Sequence, residues 1–153
     1  MRQKTLIILK PDTYQRRLVG ELISRIERKG LKLAGMKLMK ISKELAKKHY
    51  SVHAGKHFFD DLLNYIVSGP VVVMVVEGTE AISVMRKLVG ATCGVEAQPG
   101  SIRGDYSISM RYNMIHASDS RESADYEIGN FFADDELVDT SDLCIDSWIE
   151  AGE

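Results

Sequence analysis

A chain of 153 residues, 44% hydrophobic and 27% charged with three prolines, has the size and make-up of one domain with a proper core. No stretch approaches the about 18 consecutive apolar residues of a membrane span, and the apolar run before Lys10 and Asp12 is too short for a secretion signal. The formal net charge of -2 hides an asymmetry: residues 1–50 hold 14 Lys/Arg against 4 Asp/Glu, whereas residues 117–153 hold Arg121 against 12 acidic residues. Blocks of this kind solvate surfaces, and without interleaved aromatics the basic half does not point to nucleic acid. Cys93 and Cys144 lie far apart without metal-type spacing, as expected of a reduced, cytoplasmic protein.

Thr5 to Lys10 is a nearly continuous apolar run closed by Pro11-Asp12, which predicts a buried strand. Between Tyr14 and Lys29, Leu18, Leu22, Ile23 and Ile26 recur at helical spacing until Gly30 stops the pattern. Leu31 to Ile41 alternates as a second strand. Ser42 caps a short helix through Tyr50, and Phe58 to Val67 reads as another. Val71 to Glu77 (VVVMVVE) is a strand buried on both faces.

Thr79 opens a helix to about Val89, ended by Gly90. Residues 91–103 lack periodicity, and a loop of that length is usually functional or an oligomer contact. Gly104 to Met110 alternates weakly as a fourth strand, and Glu122 to Phe132 forms a last helix. The acidic tail, 133–153 with Trp148, is expected to pack on the domain or on a neighbouring subunit. Strands alternating with helices give an α/β layer within one domain, residues 1–153. Four strands with two crossover helices suit a ferredoxin-like α+β fold, βαββαβ, whose four-stranded antiparallel sheet is covered by helices.

Neither GxxxxGK[ST] nor GxGxxG occurs, so side chains must supply the charge if the protein binds a nucleotide. His49, His53 and His57 sit four apart, but Gly55 interrupts them and no carboxylates match the spacing, so no metal stripe is expected. His116 ends an apolar run just before a helix start, with Asp119-Ser120 followed by Glu122. Backbone N–H groups at that start favour an anion such as a phosphorylated histidine, and Glu127, two turns on, could hold the second ring nitrogen. From spacing alone His116 reads either as a nucleophile or as a packed structural histidine. Lys10, Arg86 and Arg103 are single cations at element ends, and Phe58-Phe59 reads most simply as core packing.

LKPD (9–12), HY (49–50), SGPVVVMVVEG (68–78), RKLVGAT (86–92), PGSIRGD (99–105) and NMIHASDSRESADYEI (113–128) together resemble the nucleoside diphosphate kinase family in order and spacing. The resemblance spans about residues 3–132. It implies transfer of the γ-phosphate of a nucleoside triphosphate, chiefly ATP, to nucleoside or deoxynucleoside diphosphates by a ping-pong cycle. His116 would be the nucleophile, oriented by Glu127 and more loosely by Ser118. Lys10, Tyr50, Arg86, Thr92, Arg103 and Asn113 would hold the phosphates and sugar hydroxyls, and the base would stack on Phe59.

By the same resemblance Mg2+ rides on the nucleotide phosphates, with Asp119 at most reaching it through water and no metal held by the protein itself. A cytoplasmic homo-oligomer, hexamer or tetramer, is implied as well. The chain departs from the family pattern at Arg17, where glycine is usual, at Cys93-Gly94 in place of Asn-Pro, and at Met110 beside the base. A catalytically silent nucleotide-binding module of the same fold is the alternative reading.

Overall fold

The computed structural model describes residues 1–141 and Trp148. Its sheet has four strands: β1 (Arg2–Leu9), β2 (Lys32–Met39), β3 (Val71–Thr79) and β4 (Ile115–Ala117). Their order is β2-β3-β1-β4, and every neighbouring pair is antiparallel. Between β1 and β2 run α1 (Pro11–Gln15) and α2 (Val19–Arg28); between β2 and β3, α3 (Lys43–His49), a 3-10 turn (Ser51–His53) and α4 (Phe59–Ile66). Next come α5 (Ala81–Val89) and α6 (Ile102–Tyr106) before β4, then α7 (Arg121–Phe131) and a 3-10 turn, Asp134–Glu136. With α2 and α5 as crossover helices this is the ferredoxin-like α+β arrangement.

The two-residue period of the central strands divides the interior into two cores. Ile7 and Leu9 of β1 and Val72, Met74 and Val76 of β3 pack with Leu22 and Ile26 of α2 and Met85 and Val89 of α5. The opposite parity, Leu6, Ile8, Val71, Val73 and Val75, packs with Ala46, Leu63, Ile66 and Phe131 under α3, α4 and α7. Each fully buried Leu, Ile or Val contributes about 1.5–3 kcal/mol relative to exposure. Val71 to Val76 are all buried because β3 lies inside the sheet with a core on either side.

Three local expectations change. The helix read across Tyr14 to Lys29 is two helices, because Arg17 takes a left-handed φ of 57° between them. The fourth strand is not Gly104 to Met110 but Ile115–Ala117, and 102–106 is instead α6, capped by the Ser101 hydroxyl accepting from Gly104 N–H. The N-cap of α7 is Ser120, which accepts from Ser123 N–H at 3.1 Å, so Glu122 lies in the first turn without closing a capping box.

The tail returns to the domain as far as it is described. A register shift between Leu33 and Gly35 spares the Ala34 carbonyl, which accepts from Val138 N–H at 2.8 Å. Thr140 is buried beside Arg2. Trp148 is exposed, and the rest of the expected 133–153 extension lies outside the described residues.

Candidate active site

β4 is only three residues long, yet its alternation sets the site. Ile115 and Ala117 point into the α2/α5 core, so His116 between them points to the α3/α7 side, in register with Ile8. α7 starts at Arg121, and one and a half turns later Glu127 faces the same space. His116 Nε2 lies 3.0 and 3.1 Å from the two Glu127 oxygens. Ser118, fully buried, accepts Leu6 N–H and donates its own proton to Glu127 Oε2 at 2.5 Å. Burial pushes the Glu127 carboxyl up, but the hydrogen bonds from His116 and Ser118 outweigh it and hold the group below its usual range. An ionised Glu127 fixes the proton on Nε2, and that tautomer leaves the lone pair on Nδ1.

Three cations share the cleft with that nitrogen. Lys10 sits at the end of β1 and donates from Nζ to Asn113 Oδ1 at 2.7 Å; Asn113 in turn donates to the Thr92 carbonyl at 3.1 Å. Arg103 on α6 donates to three backbone carbonyls: Asn113 (3.0 Å), Gly90 (3.3 Å) and Ile115 (2.6 Å). Gly90 is required there, because at φ 89° it reverses the chain after α5 and an added Cβ would lie 2.4 Å from Ser101 Oγ. Arg86 on α5 donates to the Ala117 carbonyl at 3.3 Å.

Among the described residues none of the three forms an ion pair with a carboxylate, so their charge stays available to an anion. Burial, and next the neighbouring Arg103, lower the Lys10 pKa to about 7; burial and Arg86 lower that of Arg103 to about 10. Tyr50, just beyond α3, is buried with no hydrogen-bond partner for its hydroxyl among the described residues, and burial, then Glu127, push its pKa upward.

Lys10, Tyr50, Arg86, Thr92, Arg103, Asn113, His116 and Glu127 line one cleft of about 670 Å³. That volume suits a nucleotide-sized ligand. Ser118 stands behind Glu127 rather than on the wall. Phe59 is a correction: it starts α4 packed against the core, and the residue on the cleft is Phe58, which caps that helix. Asp119 and His57 are exposed on the lining and His53 is half-buried there; neither histidine shares a helix with His49.

Residues the sequence did not single out include Asp61, Leu62 and Arg111; His49, read there only as one of three spaced histidines, also lines the cleft. Asp61 and Arg111 face each other from opposite walls and pair at 2.7 Å. Adjacent Phe58 and Asp61 share one face of α4 at i, i+3, a spacing that would have pointed to them had the cap been known.

A ferredoxin-like domain whose cleft sets a carboxylate-held histidine beside three unneutralised cations has the make-up of a phosphate-handling protein. The family model of nucleoside diphosphate kinase matches residues 3–137. A nucleoside diphosphate kinase of Thermomicrobium roseum is 54% identical over 96% of this chain and 98% of that protein. One of Thermoplasma volcanium is 54% identical over 89% and 92%. The structure of a halophilic nucleoside diphosphate kinase from Halobacterium salinarum in complex with CDP superposes with a TM-score of 0.94 at 46% identity, covering 97% of this chain and 99% of that one. The chain belongs to the nucleoside diphosphate kinase family and is an enzyme of the phosphotransferase class.

Proposed function

We propose that this enzyme moves the γ-phosphate of a nucleoside triphosphate, chiefly ATP, to nucleoside and deoxynucleoside diphosphates through a phosphohistidine at His116. The observation that carries the reading is the grip of Glu127 on Nε2, which turns the lone pair of Nδ1 toward the cleft. Nδ1 attacks the γ-phosphorus, the bond to the bridging oxygen breaks, and the diphosphate leaves with those electrons. A terminal oxygen of the second diphosphate then attacks the same phosphorus and the N–P bond breaks. Throughout, the Nε2 proton stays between ring and carboxylate, and Glu127 offsets the positive charge that grows on the ring.

Phosphoryl transfer asks mainly for in-line positioning and cations at the equatorial oxygens. Lys10, Arg86 and Arg103 supply them, held by Asn113, Ala117 and backbone carbonyls rather than by competing carboxylates. Tyr50 and Thr92 complete the wall, Asn113 faces the sugar, and the base leaves the cleft beside Phe58 and Met110. Stacking on one aromatic face tolerates every base. Mg2+ arriving on the phosphates fits a cleft whose floor is cationic and whose exposed Asp119 is free to meet it through water. When bound it neutralises phosphate charge.

A cytoplasmic setting and self-association belong to the same reading. Among the described residues no helix is long and apolar enough to cross a membrane. The edge strand β2 exposes Met36 and Leu38, which supports association into a homo-oligomer, hexamer or tetramer. The catalytically silent module is separated from the enzyme by one experiment. Incubated with γ-labelled ATP, the protein is expected to take up acid-labile label and release it to GDP or a deoxynucleoside diphosphate. Absence of label on the wild type, or full labelling of His116→Ala, would sink the mechanism.

A further inference from the structure

His49 closes the last turn of α3, and phosphoryl transfer makes no use of it. Its side chain is 7% exposed, and neither ring nitrogen has a hydrogen-bond partner among the described residues. Leaving a buried polar group unpaired costs free energy, so such a residue calls for an explanation. Packing accounts for the ring but not for its nitrogens: it meets His116 edge to face with centroids 4.8 Å apart, and Phe131 at 5.5 Å. One ligand-type atom from each of His49, His116 and Glu127 lies within 4.8 Å of the other two. All three residues line the cleft, so an ion can reach them from solvent.

We propose that His49, His116 and Glu127 form a binding site for a divalent transition-metal ion of the zinc type, and that its occupation arrests His116. Two imidazoles and one carboxylate are the donor set of three-ligand zinc sites that keep a fourth position open. The same set discriminates against Mg2+, which prefers an all-oxygen octahedron. His116 Nε2 and Glu127 Oε1 are already 3.0 Å apart, close to the separation of two ligand atoms on one tetrahedral ion, so the adjustment falls mainly on the His49 ring.

The donors are also in the right protonation state. Neutral His49 carries a proton on one ring nitrogen and a lone pair on the other, which is the one donor the ion needs from it, and Glu127 is the carboxylate that accepts from His116 and Ser118. When the ion takes Nε2 the ring stays neutral and its one proton passes to Nδ1. The ring thereby loses its bond to Glu127, and Nδ1 no longer has the lone pair that attacks phosphorus. Lys10, Arg86 and Arg103 oppose a further positive charge, which makes the site weaker than a structural zinc site and the arrest reversible.

The arrest rests on the phosphohistidine reading; the binding does not. Equilibrium dialysis of the metal-free full chain with Zn2+, and the visible absorption of Co2+ in its place, read the binding directly. The wild type should take one ion and give the intense band of low-coordinate Co2+. His49→Gln should weaken binding at least about tenfold and lose that band, and His49→Phe, which keeps the ring contacts, serves if the first variant misfolds. A variant with both His53→Gln and His57→Gln should bind as the wild type does.

Zinc should also suppress labelling by γ-labelled MgATP in the wild type far more than in the His49 variants. Undiminished binding in both His49 variants, or loss of binding with His53 and His57, overturns the proposal. Labelling of the zinc-loaded wild type at the full rate overturns the arrest. Failure of the metal-free wild type to label at all instead removes the phosphohistidine reading and leaves the dialysis result standing.

Discussion

The two faces of the sheet are built from the same strands and do opposite things. The face under α2 and α5 is almost wholly hydrocarbon, from Ile7 and Leu9 to Ile115 and Ala117; the buried Thr5 hydroxyl, without a hydrogen-bond partner among the described residues, is an exception. The face under α3 and α7 begins equally apolar with Leu6 and Ile8, then ends in His116, the nitrogens of His49 and the hydroxyl of Tyr50, the last two unpaired among the described residues. Lys10 and Arg103 bring buried charge to the same region without a carboxylate in salt-bridge contact. One face therefore stabilises the fold, and the other holds groups that oppose folding until an anion enters. A binding site in this enzyme is a region left electrostatically unfinished.

The largest expected departure comes from Lys10. Lys10→Met should raise the stability of the free protein by about 1–3 kcal/mol, because it removes a buried cation whose desolvation outweighs its attraction to Asp12, while it abolishes phosphate-dependent stabilisation. The sign follows from its lowered pKa of about 7. Between that value and the ordinary lysine range the unfolded chain holds a proton that the folded one has released, so wild-type stability rises with pH there. The penalty is full below pH 7, and the variant should lose the slope. Urea unfolding from pH 6 to 10 measures both, and an Lys10→Met protein less stable than wild type at pH 6 would erase the contrast between the faces.

The paired phenylalanines sharpen the same comparison at smaller scale. Phe58→Ala should weaken nucleotide binding by about 1–3 kcal/mol with little change in stability. Phe59→Ala should do the reverse, costing about 1–3 kcal/mol of stability and leaving affinity nearly intact. Binding isotherms and unfolding curves on the two variants decide it, and an affinity loss in Phe59→Ala alone would return the base to that residue. The smallest effect lies far from the cleft. Arg17 bears a left-handed φ of 57° on an exposed side chain, so Arg17→Gly should gain about 0.5–1 kcal/mol, or about 1–4 °C in Tm by calorimetry, with nucleotide affinity unchanged.

How much of this was legible depended on how local the cause was. β3 could be read because a strand covered on both faces becomes an unbroken apolar run, and α3 because Ser42 signals its own cap. β4 could not, since three residues carry no period. The weak alternation at 104–110 was overruled by the Ser101 cap and by Gly104, whose backbone passes too close to the Gln98 carbonyl for any Cβ. Phe59 rested on the resemblance alone; adjacent positions at a helix start differ by about 100° of azimuth, and without the place of the cap the sequence could not tell which of the pair faces the cleft. The cleft's chemistry was readable through its motifs, whereas the unpaired state of His49 depends on α3, β4 and α7 meeting, which no local pattern encodes.

The three carbonyls that hold Arg103 have a consequence for how this protein can drift. Its acceptors are the backbone of Gly90, Asn113 and Ile115, so none of them is lost when a neighbouring side chain is exchanged. Position 115 can change among apolar residues, and the guanidinium keeps its anchor; position 90 cannot, because its side chain would strike Ser101. Lys10 has no such insurance, since its Nζ depends on the amide of Asn113 alone among the described residues. Two cations of one cleft thus differ in heritable robustness: one is secured by the path of the chain, the other by a single side-chain hydrogen bond.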